Sequence, residues 1–230
     1  MLRATHLTGF GLARSAVSKE FKALLTTSAN LSTYTHSGYG LTNADAGKLA
    51  VALVYNFNGA GGALPSSVTI GGAAATKIIG AVPPASYDVV VSLWTATVPS
   101  SPSDDVVIVY GAGQTGSGAA LYVLGNLNAT PHDSEQSNDS TAALATTGVD
   151  TAADGVTIIG NIQRANGSES GTTFSGGIAV DDELNIDGGF GLCVAGSRSS
   201  DVQATGTSIT TTLPSSDLTH QVVATFAPTL

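Results

Sequence analysis

The stretch Ser67-Val-Thr-Ile-Gly-Gly-Ala-Ala-Ala-Thr-Lys-Ile78 reads as strand, two-residue turn, strand. Val, Ile and Thr suit a pleated surface, and a Gly-Gly pair accepts the positive φ that tight hairpin turns demand. The same pattern continues on both sides of this hairpin. Apolar or alternating runs, each closed by Gly, Pro, Asn or Asp, fall at 31–36, 48–57, 67–70, 75–79, 89–97, 105–110, 119–124, 156–162, 189–195, 208–213 and 221–226. They predict an all-β protein, an antiparallel β-sandwich of jelly-roll or immunoglobulin-like type with about eleven strands. Leu49-Ala-Val-Ala-Leu-Val-Tyr55 and Val106-Val-Ile-Val-Tyr110 are apolar on both faces and belong at the centre of the packing. Ser208-Ile-Thr-Thr-Thr-Leu213 alternates and should keep one face wet. Trp94 shares a strand face with Val90 and Ser92, which reads as core or sheet-covering rather than as a sugar platform.

Composition agrees with this reading. Only 11% of the 230 residues are charged, against roughly 25% in ordinary soluble domains. The 28 glycines, with many Ser, Thr and Asn, must therefore build the surface, which suits short strands and tight turns. No period of 20 to 50 residues recurs, which disfavours a propeller or solenoid.

Charge is divided unevenly. Residues 1 to 22 hold Arg3, Arg14, Lys19 and Lys22 against Glu20 alone, giving +3, while the whole chain carries −9. Leu12, Ala16, Phe21, Ala23 and Leu24 repeat with an approximately helical period over 11–25. Residues 1–26 thus read as a short N-terminal arm or helix and 27–230 as the sandwich body. A basic arm on an acidic body is a docking device, and Arg3, His6, Phe10, Arg14, Lys19 and Lys22 are its candidate partner-binding residues. The plainer alternative is a solvated leader. Nucleic acid is not an expected partner, because the body is acidic and its four basic residues form no track.

The polar stretch 126–154 separates two apolar sets of strands and is read as a long surface excursion within one sandwich, with a linker between two subdomains as the alternative. A second loop-rich stretch, 163–177, contains little apolar material besides Phe174.

Chemical motifs fall away on inspection. Gly111-Ala-Gly-Gln-Thr-Gly-Ser-Gly118 lacks the lysine and the following helix of a phosphate loop, and reads as a turn between strands. Asp181, Asp182, Glu183 and Asp187 miss the EF-hand spacing, so the run reads as a solvated turn with calcium as the alternative. His132-Asp133-Ser134-Glu135 holds the residue types of a hydrolase triad, but triads assemble from distant segments. The lone Cys193 lies in an apolar run and reads as a small buried hydrophobe. No enzyme activity, cofactor or metal site is expected. Nor is a membrane span or a secretory signal, since the longest strongly apolar run is Leu49 to Tyr55.

The order Ser67-Val-Thr-Ile-Gly-Gly72, Ser92-Leu-Trp-Thr-Ala-Thr-Val-Pro99, Ser103-Asp-Asp-Val-Val-Ile-Val-Tyr110 and Ala120-Leu-Tyr-Val-Leu124 resembles β-sandwich modules of tailed-bacteriophage structural proteins, especially marine ones. There a "VTIGG-x-AAT" hairpin precedes an "LW-x-A-x-VP" strand and a "DVVV" strand. The opening Leu7-Thr-Gly-Phe-Gly11 is similar to N-terminal segments of such proteins, and the likeness covers about residues 30 to 125. It implies a non-enzymatic virion protein on the particle surface, made in the bacterial cytoplasm: a capsid decoration or head-fibre protein, or alternatively a tail-fibre or baseplate module binding host glycan. The implied partners are other capsid or tail proteins and further copies of the chain.

Overall fold

The computed structural model describes residues 16–59, 61–82, 87–165, 167–215 and 217–229. All eleven runs picked out from sequence form strands, within a larger set. The first half holds β1 (Ser18–Thr27), β2 (Leu31–Ser37), β3 (Leu49–Phe57), β4 (Ser67–Ile70), β5 (Ala73–Ala74), β6 (Thr76–Ile79), β7 (Val89–Thr97), β8 (Asp105–Gln114) and β9 (Gly116–Gly125). The second holds β10 (Asp133–Asp139), β11 (Ala143–Thr151), β12 (Gly155–Arg164), β13 (Thr173–Phe174), β14 (Ala179–Ile186), β15 (Gly191–Ser200), β16 (Ala204–Thr212) and β17 (Thr219–Phe226). Two 3₁₀ turns, at Asn43–Asp45 and Asp187–Gly189, are the only helical elements among the described residues.

In the first half an inner sheet runs β1-β9-β3-β7-β6 and an outer sheet β2-β8-β4-β5. In the second half the inner sheet runs β10-β17-β12-β15-β14 and the outer sheet β11-β16-β13. Apart from β5, which has no counterpart, the two sets of orders coincide when β1 is replaced by β10, β2 by β11, β3 by β12, β4 by β13, β6 by β14, β7 by β15, β8 by β16 and β9 by β17. Most successive strands cross from one sheet to the other, the pairs β4–β5, β6–β7 and β14–β15 excepted, and the first strand pairs with the last, which is jelly-roll wrapping. The chain is thus a tandem of two jelly rolls. A Gly-Gly pair recurs at the matching place, Gly71-Gly72 after β4 and Gly176-Gly177 between β13 and β14, and all four glycines have positive φ, though only the first pair closes a hairpin.

The four sheets stack outer, inner, inner, outer, and side-chain alternation explains why the inner strands are apolar throughout. On β3, Val51, Leu53, Tyr55 and Phe57 pack toward the second roll, while Ala50, Ala52 and Val54 pack under their own outer sheet. On β12, Val156, Ile158 and Ile162 face the first roll. Gly160 lies on the same face, and a Cβ there would come within 2.7 Å of the Leu53 methyl. Edge strand β1 lies against β14, and its counterpart β10 lies against β6, the counterpart of β14. The contact is therefore self-complementary, as in a two-fold dimer.

Several expectations change. Residues Ser18–Thr27 form strand β1, paired with β9, rather than part of a helix over 11–25. The sandwich therefore takes in residues 18–27. The stretch 126–154 is not an excursion within one sandwich: it contains the link between two rolls and the strands β10 and β11. The acidic run 181–183 is in strand β14, not in a turn.

Candidate functional site

Strand direction gives the molecule two distinct ends. At one end, the base, the Asn126 side-chain amide donates to the Ala16 carbonyl at 2.6 Å, and Thr229 N donates to the Asn126 carbonyl at 3.0 Å. Leu127 bridges to Pro228 in the same place. The entry to β1, the link between the rolls and the C-terminal residues therefore meet in one knot. Beside it lies a cleft of about 310 Å³ lined by Ala16, Val17, Asp154, Asp201 and Pro228 among others.

At the opposite end, the crown, the turns after β1, β3 and β8 meet those after β12, β14 and β16. A strand of 10 residues such as β1 separates base from crown by about 30 Å. Two polar cross-links join the rolls at the crown. Asp187 N donates to Ser28 Oγ at 2.7 Å, and Arg164 Nε lies 3.5 Å from the Asp88 carboxylate. Burial pushes the Asp88 carboxyl above the usual carboxylate range, and the Arg164 charge offsets part of that.

The crown also displays an aromatic ring. Phe190 is 55% exposed, and its ring stacks on buried Phe57 of the other roll with centroids 6.4 Å apart and planes 17° from parallel. The turn that presents it is conformationally demanding: Asp187, Gly188 and Gly189 have φ of 53°, 68° and 99°. Sequence reasoning placed Phe190 in an apolar strand run. The Asp-Gly-Gly preceding it was the available sign of a turn that projects the ring outward.

The expected partner-binding residues divide into two groups. Arg3, His6, Phe10 and Arg14 lie outside the described residues. Lys19 and Lys22 lie in β1 and are engaged within the fold. Lys22 Nζ sits 3.2 Å from Asp45 and 2.9 Å from Glu20, with its side chain only 9% exposed. Burial opposes its charge, but these partners outweigh that and hold the ammonium above its ordinary pKa. Lys19 Nζ donates to Ser197 Oγ of the second roll at 2.6 Å. Ser197 Oγ in turn donates to the Asp181 carboxylate, which also accepts from Tyr122 at 2.8 Å. This chain of groups fastens the two rolls together.

The remaining candidates have structural surroundings. Glu183 accepts from the backbone N–H groups of Gly171 and Thr172, tying down the loop before β13. Among the described residues no three of His, Cys, Asp and Glu gather as metal ligands. Gly111–Gly118 forms the corner where β8 passes to β9. In 132–135, Asp133 accepts from Ser134 N and Asp150 N, which uses its carboxylate in the backbone of that edge. Cys193 is fully buried, and burial pushes its thiol pKa upward. Trp94 is in the core of the first roll, with its indole N–H on Ser92 at 2.9 Å. No described helix is long and apolar enough to cross a membrane.

No family of proteins, no curated protein and no solved structure matches the chain.

Proposed function

We propose that the chain is a non-enzymatic structural module of a bacteriophage particle, held to the particle through residues 1–15 and projecting its crown outward. The observation that carries this reading is the polarity of the molecule. Ala16, the link between the rolls and Pro228 meet at one pole, while the turns after β1, β3, β8, β12, β14 and β16, with the exposed Phe190, lie at the other, about 30 Å away. The sequence likeness to tailed-phage sandwich modules favours a capsid decoration or head-fibre protein. Such a protein acts by burying interface with capsid or tail proteins and with further copies of itself, and stable contacts of that kind cover more than about 2,000 Å².

The test is incorporation into particles of a chain lacking residues 1–15. The deletion must stop there, because residues 18–27 form β1 and their loss would strip an edge strand from the inner sheet. Loss of incorporation by a truncated protein that remains folded is the expected result, and incorporation at the full level overturns the anchoring.

A second reading, a tail-fibre or baseplate module contacting host glycan, is favoured by one observation, the exposed Phe190 ring on the crown. Copy number per particle separates the two readings, since hundreds of copies fit a head decoration and a handful fit a tail part.

A further inference from the structure

We infer that the crown carries a saccharide-binding platform centred on Phe190, taking the apolar face of a neutral pyranose. This inference rests on the second reading above and names its site and ligand class.

The geometry of the ring is the first support. Phe190 lies offset and nearly parallel beside Phe57, which is itself only 6% exposed, so the ring leans on a buried neighbour while the residue keeps 55% of its surface in water. A pyranose presents a face of C–H groups that packs flat on such a ring, because C–H hydrogens carry partial positive charge and the ring face is negative.

Preorganisation is the second. Phe190 N donates to the Asp187 carbonyl at 3.3 Å, Ala165 N donates to the Phe190 carbonyl at 2.8 Å, and Asp187 N is held by Ser28 Oγ of the first roll. Gly189 is pressed against Gly167, where a Cβ would come within 2.7 Å of the backbone. A turn whose backbone is fixed at these points presents its side chain with little main-chain freedom left to lose on binding, which is how a small contact gains affinity.

Asp187 defines the ligand class. Its carboxylate has no hydrogen-bond partner among the described residues and is available to accept from sugar hydroxyls. The same charge, on a chain of net charge −9, disfavours sialylated, uronic or phosphorylated glycans. One ring and one carboxylate bind weakly, so function requires several copies acting together.

The experiment displays the full chain multivalently on a streptavidin scaffold over an array of neutral and acidic oligosaccharides, alongside F190A, F190W and D187N. Trp94 fluorescence reports folding of each except F190W, for which far-UV circular dichroism serves. The expected result is binding to neutral hexose-terminated glycans, reduced at least tenfold in F190A, retained in F190W and weakened several-fold in D187N. If F190A fails to fold, D187N and F190W carry the test. Wild-type binding unchanged in F190A or D187N overturns the Phe190 platform while leaving the glycan reading in place. Binding confined to acidic glycans does the same. No binding to any glycan by the multivalent wild-type protein overturns both.

Discussion

Tyr55 in β3 donates its hydroxyl to the Val194 carbonyl in β15 at 2.8 Å, a fully buried hydrogen bond that passes from one jelly roll to the other. Burial raises the Tyr55 phenol pKa well above its ordinary value, so the hydroxyl remains a donor at every relevant pH. The bond lies within a continuous apolar layer contributed by both inner sheets, so the rolls share one core rather than touching at a surface.

Replacing Tyr55 by Phe should therefore cost about 1 kcal/mol, the net value of a buried neutral hydrogen bond. In a chain of this size that lowers Tm by about 2–4 °C. Trp94, the single tryptophan, reports the first roll, while far-UV circular dichroism reports both. The two signals should shift together in one transition. Separate transitions would show that the rolls unfold independently.

Gly160 offers a sharper test of the shared core. A valine there would push into Leu53 Cδ2 and Val91 Cγ2 of the opposing roll, at 2.7 and 3.1 Å from the position of its Cβ. Gly160→Val should cost about 1–3 kcal/mol by overpacking. Gly111→Ala is the control: its Cβ meets nothing within 4 Å, and the change should be near neutral in thermal denaturation.

The two rolls share a topology but pack different residues between their own inner and outer sheets, and this should be visible in hydrogen exchange. Between the sheets of the first roll pack Tyr34, Trp94, Tyr110 and a set of aliphatic residues. Between those of the second, the apolar material falls into two smaller clusters, Val149, Ile159, Ile178, Ile209 and Val223, and Ala165, Leu192 and Val194, with Phe174 against both. Asn161, Gln163 and Gln221 are buried beside them, and Asn161 Oδ1 and Gln163 Oε1 have no protein partner. Buried amides left partly unsatisfied subtract from stability. Amides of β11 and β16 should therefore exchange faster than those of β2 and β8, and equal protection would contradict this account.

The same contrast explains what could be read from sequence. Strands β3 and β7 were placed correctly because they are apolar on both faces and closed by turn residues. Strand β1 was misread because a bulge between Phe21 and Ala23 shifts the alternation and brings Phe21, Ala23 and Leu24 close to a helical period. Strand β10, Asp-Ser-Glu-Gln-Ser-Asn-Asp, has no apolar residue at all; its place is set by ladder hydrogen bonds to β17, which leave no trace in composition. The duplication was hidden because strand order, unlike a short repeat, needs only similar apolar faces. At the crown, Phe190 was visible as an apolar residue, but its support on Phe57 joins positions far apart in the chain.

Acid should weaken the protein well before its carboxylates protonate. His220 is fully buried between the rolls, its Nδ1 accepts from Val91 N at 3.1 Å, and burial pushes its pKa down to about 4. His36 in the first roll is pushed to about 4 for the same reason. Each would titrate near 6.5 in the unfolded chain. Between those values the unfolded state binds protons that the native state refuses, so stability is full above about pH 6.5, falls as pH drops toward 4, and loses no more on their account below it. The loss should be on the order of 2 kcal/mol per histidine by pH 5. Asp88, whose carboxyl is raised by burial, opposes the trend only at the acid end of this window. His220→Asn isolates one contribution, since Asn Oδ1 occupies nearly the position of Nδ1 and accepts from Val91 N without titrating. Denaturant midpoints from pH 7 to pH 4.5 should fall less steeply in H220N than in the wild type. Equal slopes would mean that His220 is protonated in the folded protein and that the layer between the rolls admits water.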